Sequence, residues 1–353
     1  MRRRPAKPSE INDLFADQPS LFDDPVADLL PVHPVVKAHV VRVKMEGGSG
    51  RPQREAAAQP AGSVVDSIEV GKRQRPLRFI SFGSGSSGNC SYIGDGDHGV
   101  LIDAGVDVRH VERTLLANAI TFESISGICL THDHSDHVCN AYHLLREHKH
   151  LRLYCTPKTL NGLLRRHNIS RRIKDYHVPI YKEFPFSVGP VEITAFVVSH
   201  DGTDNCGYFV SCAGRNFAIA TDLGCITERV DHYMRLADYL VIEANYDATM
   251  LRNGPYPQYL QARIMAGRGH LDNVVTGQFL ASIVSDRLKG VFLCHLSHDN
   301  NTPEIALDTV RRALAGAGIT AIGDASSSFE AERCQLQLAA LPRYAASPFY
   351  TLR

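Results

Sequence analysis

Leu130-Thr131-His132-Asp133-His134-Ser135-Asp136-His137 gathers three imidazoles and two carboxylates within six residues. The apolar run Gly127-Ile128-Cys129-Leu130 precedes it and Val138-Cys139-Asn140-Ala141-Tyr142-His143-Leu144-Leu145 follows, a pattern that predicts a buried strand, a loop and then a helix. A loop at such a junction can fold several side chains around one point. Imidazole with carboxylate suits zinc, manganese or iron, and a short segment carrying four such groups can serve two ions. A lone His is usually an ordinary polar loop residue; this density of ligand types marks a metal site.

A two-ion site needs more groups than one loop holds, so His or Asp at the ends of other apolar runs become candidates. His200 follows Ala195-Phe196-Val197-Val198-Ser199, Asp222 follows Phe217-Ala218-Ile219-Ala220-Thr221, and His295 follows Gly290-Val291-Phe292-Leu293-Cys294. Val100-Leu101-Ile102-Asp103 is a further apolar run closed by an acid. Each places a polar residue where loops gather over a sheet edge.

Asp103, His132, His134, Asp136, His137, His200, Asp222 and His295 resemble, in order and spacing, the five motifs of the metallo-β-lactamase fold, over residues 77 to about 323. The resemblance implies an α/β (α+β) fold, a four-layer αβ/βα sandwich of two mixed sheets with helices on both outer faces and two divalent metal ions, zinc or manganese, at one edge. It further implies that His132, His134 and His200 hold one ion, that Asp136, His137 and His295 hold the other, and that Asp222 bridges them. Asp103 would orient the ligand loop from behind. With His137 present and His, not Glu, at position 134, the resemblance is to the hydrolases of the fold and not to flavodiiron oxidoreductases.

That scaffold hosts lactamases, thioesterases, lactonases and nucleases, so the fold does not choose among them. Gly83-Ser84-Gly85-Ser86-Ser87-Gly88-Asn89, Leu240-Val241-Ile242-Glu243-Ala244-Asn245-Tyr246-Asp247, Gly269-His270-Leu271-Asp272-Asn273 and His295-Leu296-Ser297-His298-Asp299-Asn300-Asn301 are similar to stretches of the WalJ-type (YycJ-like) group. This implies a DNA exonuclease of repair or replication, with Asp136 and His270 catalytic. A similarity to ribonuclease Z implies that His270 assists phosphodiester cleavage and keeps RNA processing open. A small ester or lactam hydrolase, or a clamp-tethered scaffold with a silent hydrolase domain, are the remaining alternatives.

Local chemistry agrees with an anionic substrate. Helices are predicted from about Asn273 to Ser285 and after Thr302-Pro303-Glu304, and their N-termini would favour phosphate. Ser297, Asn300 and Asn301 are candidate substrate donors, with turn capping the competing role for the asparagines. The basic segment Arg165-Arg166-His167-Asn168-Ile169-Ser170-Arg171-Arg172-Ile173-Lys174 is either a solvated helix end or a contact for a phosphate backbone.

The chain of 353 residues divides, on this reading, into a disordered extension over 1–75, a domain over 76–325 and a tail over 326–353, where Pro342 and Pro348 interrupt any periodicity. Lys+Arg and Asp+Glu are both 38, so a nucleic-acid partner must be met by local patches. Nine cysteines without CxxC spacing read as reduced thiols, and no run approaches the roughly 18 apolar residues of a membrane span. Together these features lead to the expectation of a cytoplasmic protein. Within the extension, Gln18, Leu21 and Phe22 of Gln18-Pro19-Ser20-Leu21-Phe22 resemble the QxxLF-type peptide that docks bacterial DNA enzymes on the sliding clamp, with a chance match as the alternative.

Overall fold

The computed structural model describes residues 76–326 and 334–352. The expected extension over 1–75, including the clamp-type peptide at Gln18, Leu21 and Phe22, lies outside the described residues. The first half of the domain runs β1 (Leu77–Gly83), β2 (Cys90–Gly94), β3 (Gly99–Ile102), α1 (Val108–Ala117), β4 (Ile125–Cys129), α2 (Ser135–Val138), α3 (Ala141–Glu147), β5 (Arg152–Cys155), α4 (Pro157–Arg166) and β6 (His177–Pro179). The second half runs β7 (Pro185–Val188), β8 (Val191–Val197), β9 (Cys206–Cys212), β10 (Arg215–Ala220), α5 (Glu228–Leu236), β11 (Tyr239–Glu243), α6 (Ala248–Asn253), α7 (Gln258–Met265), α8 (Asn273–Ile283), β12 (Gly290–Cys294), α9 (Pro303–Gly316), β13 (Ile322–Asp324) and β14 (Leu336–Ala340), before β15 (Tyr350–Leu352) returns to the first half.

Two sheets result, ordered β15-β1-β2-β3-β4-β5-β6 and β13-β14-β12-β11-β10-β9-β8-β7. Strands β3 to β6 are parallel, as are β10, β11, β12, β14 and β13, while the flanking pairs are antiparallel. Parallel strands covered on both faces read as continuous apolar runs, and β3, β11 and β12 are buried at every position. Side-chain alternation sorts their residues into layers. Val100 and Ile102 meet Tyr239, Val241 and Phe292 between the sheets, whereas Leu101 packs with Val108 and Leu115 of α1, and Leu240 and Ile242 pack with Leu280 of α8 and Val310 of α9. The fold is the expected four-layer αβ/βα sandwich. Among the described residues no helix is long and apolar enough to cross a membrane.

The expected tail over 326–353 is not a tail. β14 lies between β12 and β13, with Leu338 and Ala339 fully buried, and β15 pairs antiparallel with β1. Pro342 and Pro348 bound these short strands instead of excluding them, because each proline falls outside the hydrogen-bonded ladder. The helix expected to follow the ligand loop without interruption is split into α2 and α3 at Cys139-Asn140. The break is built around Gly105, where a Cβ would lie 1.6 Å from the Asp136 carbonyl oxygen, so only glycine admits α2 at this distance.

Candidate metal centre

Six strands deliver polar side chains to one edge of the sandwich. β3 ends before Asp103, β4 before Leu130-Thr131-His132, β8 before His200, β10 before Asp222 and β12 before His295, while Glu243 is the last residue of β11. Asp136 and His137 come from the first turn of α2, and His270 from the segment between α7 and α8. Asp103 and His295 both adopt the left-handed backbone region, at φ 62° and 53°. Such conformations cost about 1 kcal/mol or more for residues with a Cβ and persist where the surroundings enforce them.

The first sheet orients its histidines through Asp103. His137 donates Nδ1–H to Asp103 Oδ2 at 2.7 Å, and the backbone N–H of Thr131 donates to Oδ1 at 2.8 Å. The Thr131 hydroxyl lies 2.9 Å from Asp103 Oδ2 and 3.0 Å from His132 Nδ1. Its single proton goes to the carboxylate, so it accepts from His132 Nδ1–H and leaves the opposite nitrogen bare. His132 Nε2 is buried without a partner. Asp133 faces the other way: Thr203 donates to it from both backbone and hydroxyl, at 2.9 and 2.6 Å, tying the loop to the segment after His200.

The second sheet does the same work through Glu243, fully buried at the end of β11. Its Oε1 accepts from His270 Nδ1 at 2.7 Å and His295 Nδ1 at 2.9 Å, and its Oε2 from the backbone N–H groups of Leu223 and Leu271. His200 donates Nδ1–H to the Gly269 carbonyl at 3.1 Å, and His134 Nε2 lies 3.3 Å from Asp201 Oδ1. Each of these rings is thereby anchored through one nitrogen, and the other nitrogens of His134 and His200 face each other at 3.3 Å, the arrangement that carboxylate and carbonyl partners impose on metal-binding histidines.

The ligand atoms converge. Those of His132, His134 and His200 lie within 4.8 Å of one another, as do those of Asp136, His137 and His295 and those of His132, His137 and Asp222, while the further group of Asp222, Glu243, His270 and His295 includes the Glu243 carboxylate already bonded to both imidazoles. Asp222 stands between the first two groups, with Oδ2 3.2 Å from His137 Nε2 and Oδ1 3.5 and 3.7 Å from the Nε2 atoms of His295 and His200. The set fits divalent cations on two counts. His132 Nε2, His295 Nε2 and Asp222 Oδ2 are buried with no hydrogen-bond partner, a costly state for a protein to keep without a ligand. The buried carboxylates Asp103, Asp222 and Glu243 have no Lys or Arg partner among the described residues, so positive charge must come from elsewhere.

The local field agrees with that requirement. Burial alone would raise the Asp222 carboxyl, but the imidazoles of His295, His137 and His200 hold it well below its ordinary value. Burial would lower His137, yet Asp103, Asp222 and Asp136 raise it well above the usual range, the mark of a place that favours a cation. Burial keeps His132 neutral by pushing it far down, and likewise pushes His134 down to about 4. Neutral imidazoles are the form that binds a metal.

The centre opens into a cleft of about 280 Å³ lined by His134, Asp136, His200, Asp222, His270 and His295, with Ser86, Asn245, Tyr256, Leu260, Arg263 and Ser297 among the wall residues. Every metal-ligand candidate read from the sequence belongs to the clustered groups, and Asp103 sits behind them. The substrate candidates divide. Ser297 lines the cleft. Asn300 and Asn301 do not: both are buried. Asn301 donates to the Ala244 and Asn245 carbonyls and pairs reciprocally with Asn273, while Asn300 binds Ser297 Oγ. Local capping is therefore their role. The helix N-termini expected to favour phosphate are likewise occupied, since Asp272 and Thr302 accept from N–H groups of the first turns of α8 and α9.

Sequence reasoning assigned no role to Thr131, Glu243 or Asn89. Asn89 Nδ2 reaches Asp136 Oδ2 at 3.1 Å and His137 Nε2 at 2.9 Å, so the glycine-rich loop reaches the site through its asparagine. Glu243 carried a readable signal, an acid closing the run Tyr239-Leu240-Val241-Ile242.

A family model described as a beta-lactamase superfamily domain matches residues 98–295. The exodeoxyribonuclease YycJ of Bacillus anthracis is 33% identical over 255 residues, covering 70% of this chain and 93% of that protein. The exodeoxyribonuclease WalJ of Streptococcus pneumoniae serotype 2 is 29% identical over 243 residues, covering 69% of this chain and 90% of that protein. Among solved structures, the metallo-beta-lactamase fold protein YhfI of Bacillus subtilis superposes with a TM-score of 0.53 at 14% identity, over 77% of this chain and 98% of that one.

Proposed function

We propose that this chain, which belongs to the metallo-β-lactamase superfamily of hydrolases, cleaves DNA phosphodiesters from an end as a two-metal exonuclease. The observation that carries the reading is the ring of free ligand atoms around Asp222, with His270 beside it held by the same carboxylate that holds His295. The choice of DNA is supported by relatives named exodeoxyribonucleases that the chain matches over nine-tenths of their length.

In this reading His132, His134 and His200 would hold one ion and Asp136, His137 and His295 the other, with Asp222 placed beside both groups. When bound, a pair of zinc or manganese ions supplies Lewis acidity toward the phosphoryl group and toward water. Asp136 lines the cleft and orients the attacking water in line with the scissile P–O bond. His270, anchored through Nδ1, turns its other nitrogen to the cleft, where it stabilises charge on the phosphate or gives a proton to the departing oxygen as that bond breaks. Ser297 offers a neutral donor on the wall.

The test is cleavage of end-labelled duplex DNA, single-stranded DNA and precursor tRNA by the purified chain reloaded with manganese or zinc. Asp136→Ala and His134→Ala are expected to abolish DNA cleavage while leaving the circular dichroism spectrum in place. Full activity in either variant after stringent metal removal and reloading would overturn the assignment. Preferential cleavage of the precursor tRNA would move the substrate to RNA.

A further inference from the structure

Arg165, Arg166, Arg171, Arg172 and Lys174 lie within ten residues and are all exposed, and none lines the cleft. They sit at the end of α4 and on the 3₁₀ turn Arg171–Tyr176. This ridge is fixed to the ligand loop by three contacts with Asp133. Gly162 of α4 packs so closely that a Cβ would lie 2.1 Å from Asp133 Oδ2. Arg166 Nε lies 3.5 Å from the same oxygen, and His167 Nε2 donates to the Asp133 carbonyl at 2.6 Å. Asp133 is flanked by His132 and His134, so the ridge begins one residue from two proposed ligands. Buried Ile173 anchors the turn beneath its cations.

Stability gives no reason for this charge. Among the described residues Arg165, Arg171, Arg172 and Lys174 enter no ion pair, and the one acid in the turn, Asp175, is itself exposed. Like charges so placed repel one another. Exposed arginines without protein partners are suited to phosphate, which their planar donors grip in pairs.

We infer that this ridge holds the sugar–phosphate backbone of a DNA strand as it leaves the cleft on the His132–His134 side. The inference rests on the nuclease reading and adds where the substrate lies. The ridge stands outside the cleft, at the end of α4 and on the turn that follows, so it engages strands that extend beyond the cleft and not a substrate that fills the cleft alone. Binding therefore strengthens with strand length and weakens with salt.

The experiment compares the full, metal-loaded chain with its Arg165→Glu/Arg171→Glu/Arg172→Glu variant; Arg166 is spared because it contacts Asp133. Fluorescence anisotropy with a long duplex, in a cleavage-blocked Asp136→Ala background, is expected to show Kd raised roughly ten-fold or more. The slope of log Kd against log salt should become shallower by about 2 to 3, since each phosphate contact contributes about 0.9. Hydrolysis of a dinucleotide phosphodiester reads the cleft alone and is expected to continue at the parent rate. Unchanged duplex Kd and salt slope would overturn the ridge while leaving the nuclease reading intact. Failure of the parent chain to hydrolyse any DNA would overturn that reading and the ridge with it. Should the triple variant also lose dinucleotide cleavage, Arg171→Gln/Arg172→Gln decides: a smaller shift in the same direction supports the ridge, and no shift overturns it.

Discussion

Asp103 from β3 and Glu243 from β11 are the two buried carboxylates that aim the histidines, one from each sheet, and up to a point they are built alike. Each accepts the Nδ1–H of a histidine whose Nε2 enters the centre, His137 for one and His295 for the other, and each is fixed by backbone N–H groups. They differ in the remaining partner. Asp103 takes the Thr131 hydroxyl, which in turn fixes His132, so every side chain it serves points at the proposed metals. Glu243 shares one oxygen between His295 and His270, at 2.9 and 2.7 Å. One side only holds; the other couples holding to a histidine that lines the cleft.

Glu243→Gln should therefore be the most damaging change outside the ligand set. The amide has one acceptor oxygen where four donors now converge on two, so two buried N–H groups lose their partner and meet an NH2 instead; with the amide nitrogen in place of Oε1 these are the Nδ1–H groups of both histidines, which lose their aim. Loss of metal tuning is worth about 10–100-fold and loss of a positioned acid–base group about 10²-fold or more, so kcat is expected to fall by roughly 10³-fold or more. Asp103→Asn should differ in kind: bound metal per chain falls, and raising the metal concentration recovers most of kcat. Metal content by mass spectrometry, read beside kcat at saturating metal, separates the two. Equal recovery in both variants would mean that the two sides are equivalent.

His270→Ala sharpens the same contrast by removing only the coupled partner. Its kcat on labelled DNA is expected to fall about 10²-fold with metal content at the parent level. Added to Glu243→Gln it should cost little more, since both changes break one hydrogen-bonded unit. A further full 10²-fold loss in the double variant would show that His270 works independently of Glu243.

The comparison also explains which parts of the site were legible in sequence. His200, Asp222 and His295 could be found because each is a ligand type closing an apolar strand, and the 131–137 loop because its residues are adjacent. Glu243 closes a strand in the same way, but with no histidine beside it in sequence its partners 27 and 52 positions later were invisible. Thr131 and Asn89 have side chains that bind no metal in particular, and their role comes from where the chain folds them. The two asparagines at 300 and 301 were open in sequence between substrate contact and turn capping, and burial with the bonds of Asn301 to Ala244, Asn245 and Asn273 places them on the capping side. β14 and β15 were missed because three to five residues are too few for a period, and their burial is decided by strands distant in sequence, β12 for β14 and β1 for β15.

The smallest effect belongs to Asn301, and it tests whether residues near the centre can matter without touching its chemistry. Its amide donates to the Ala244 and Asn245 carbonyls and exchanges hydrogen bonds with Asn273, joining the segment after β11 to the starts of α8 and α9. Asn301→Ala leaves those buried groups short of partners, at a cost of about 1–3 kcal/mol. Thermal unfolding should move down by several degrees, while kcat and KM on DNA, measured well below the transition, stay at the parent values. A raised KM with an unshifted Tm would return Asn301 to the substrate surface, because a side chain that binds DNA and supports nothing else has no reason to change the stability of the free protein.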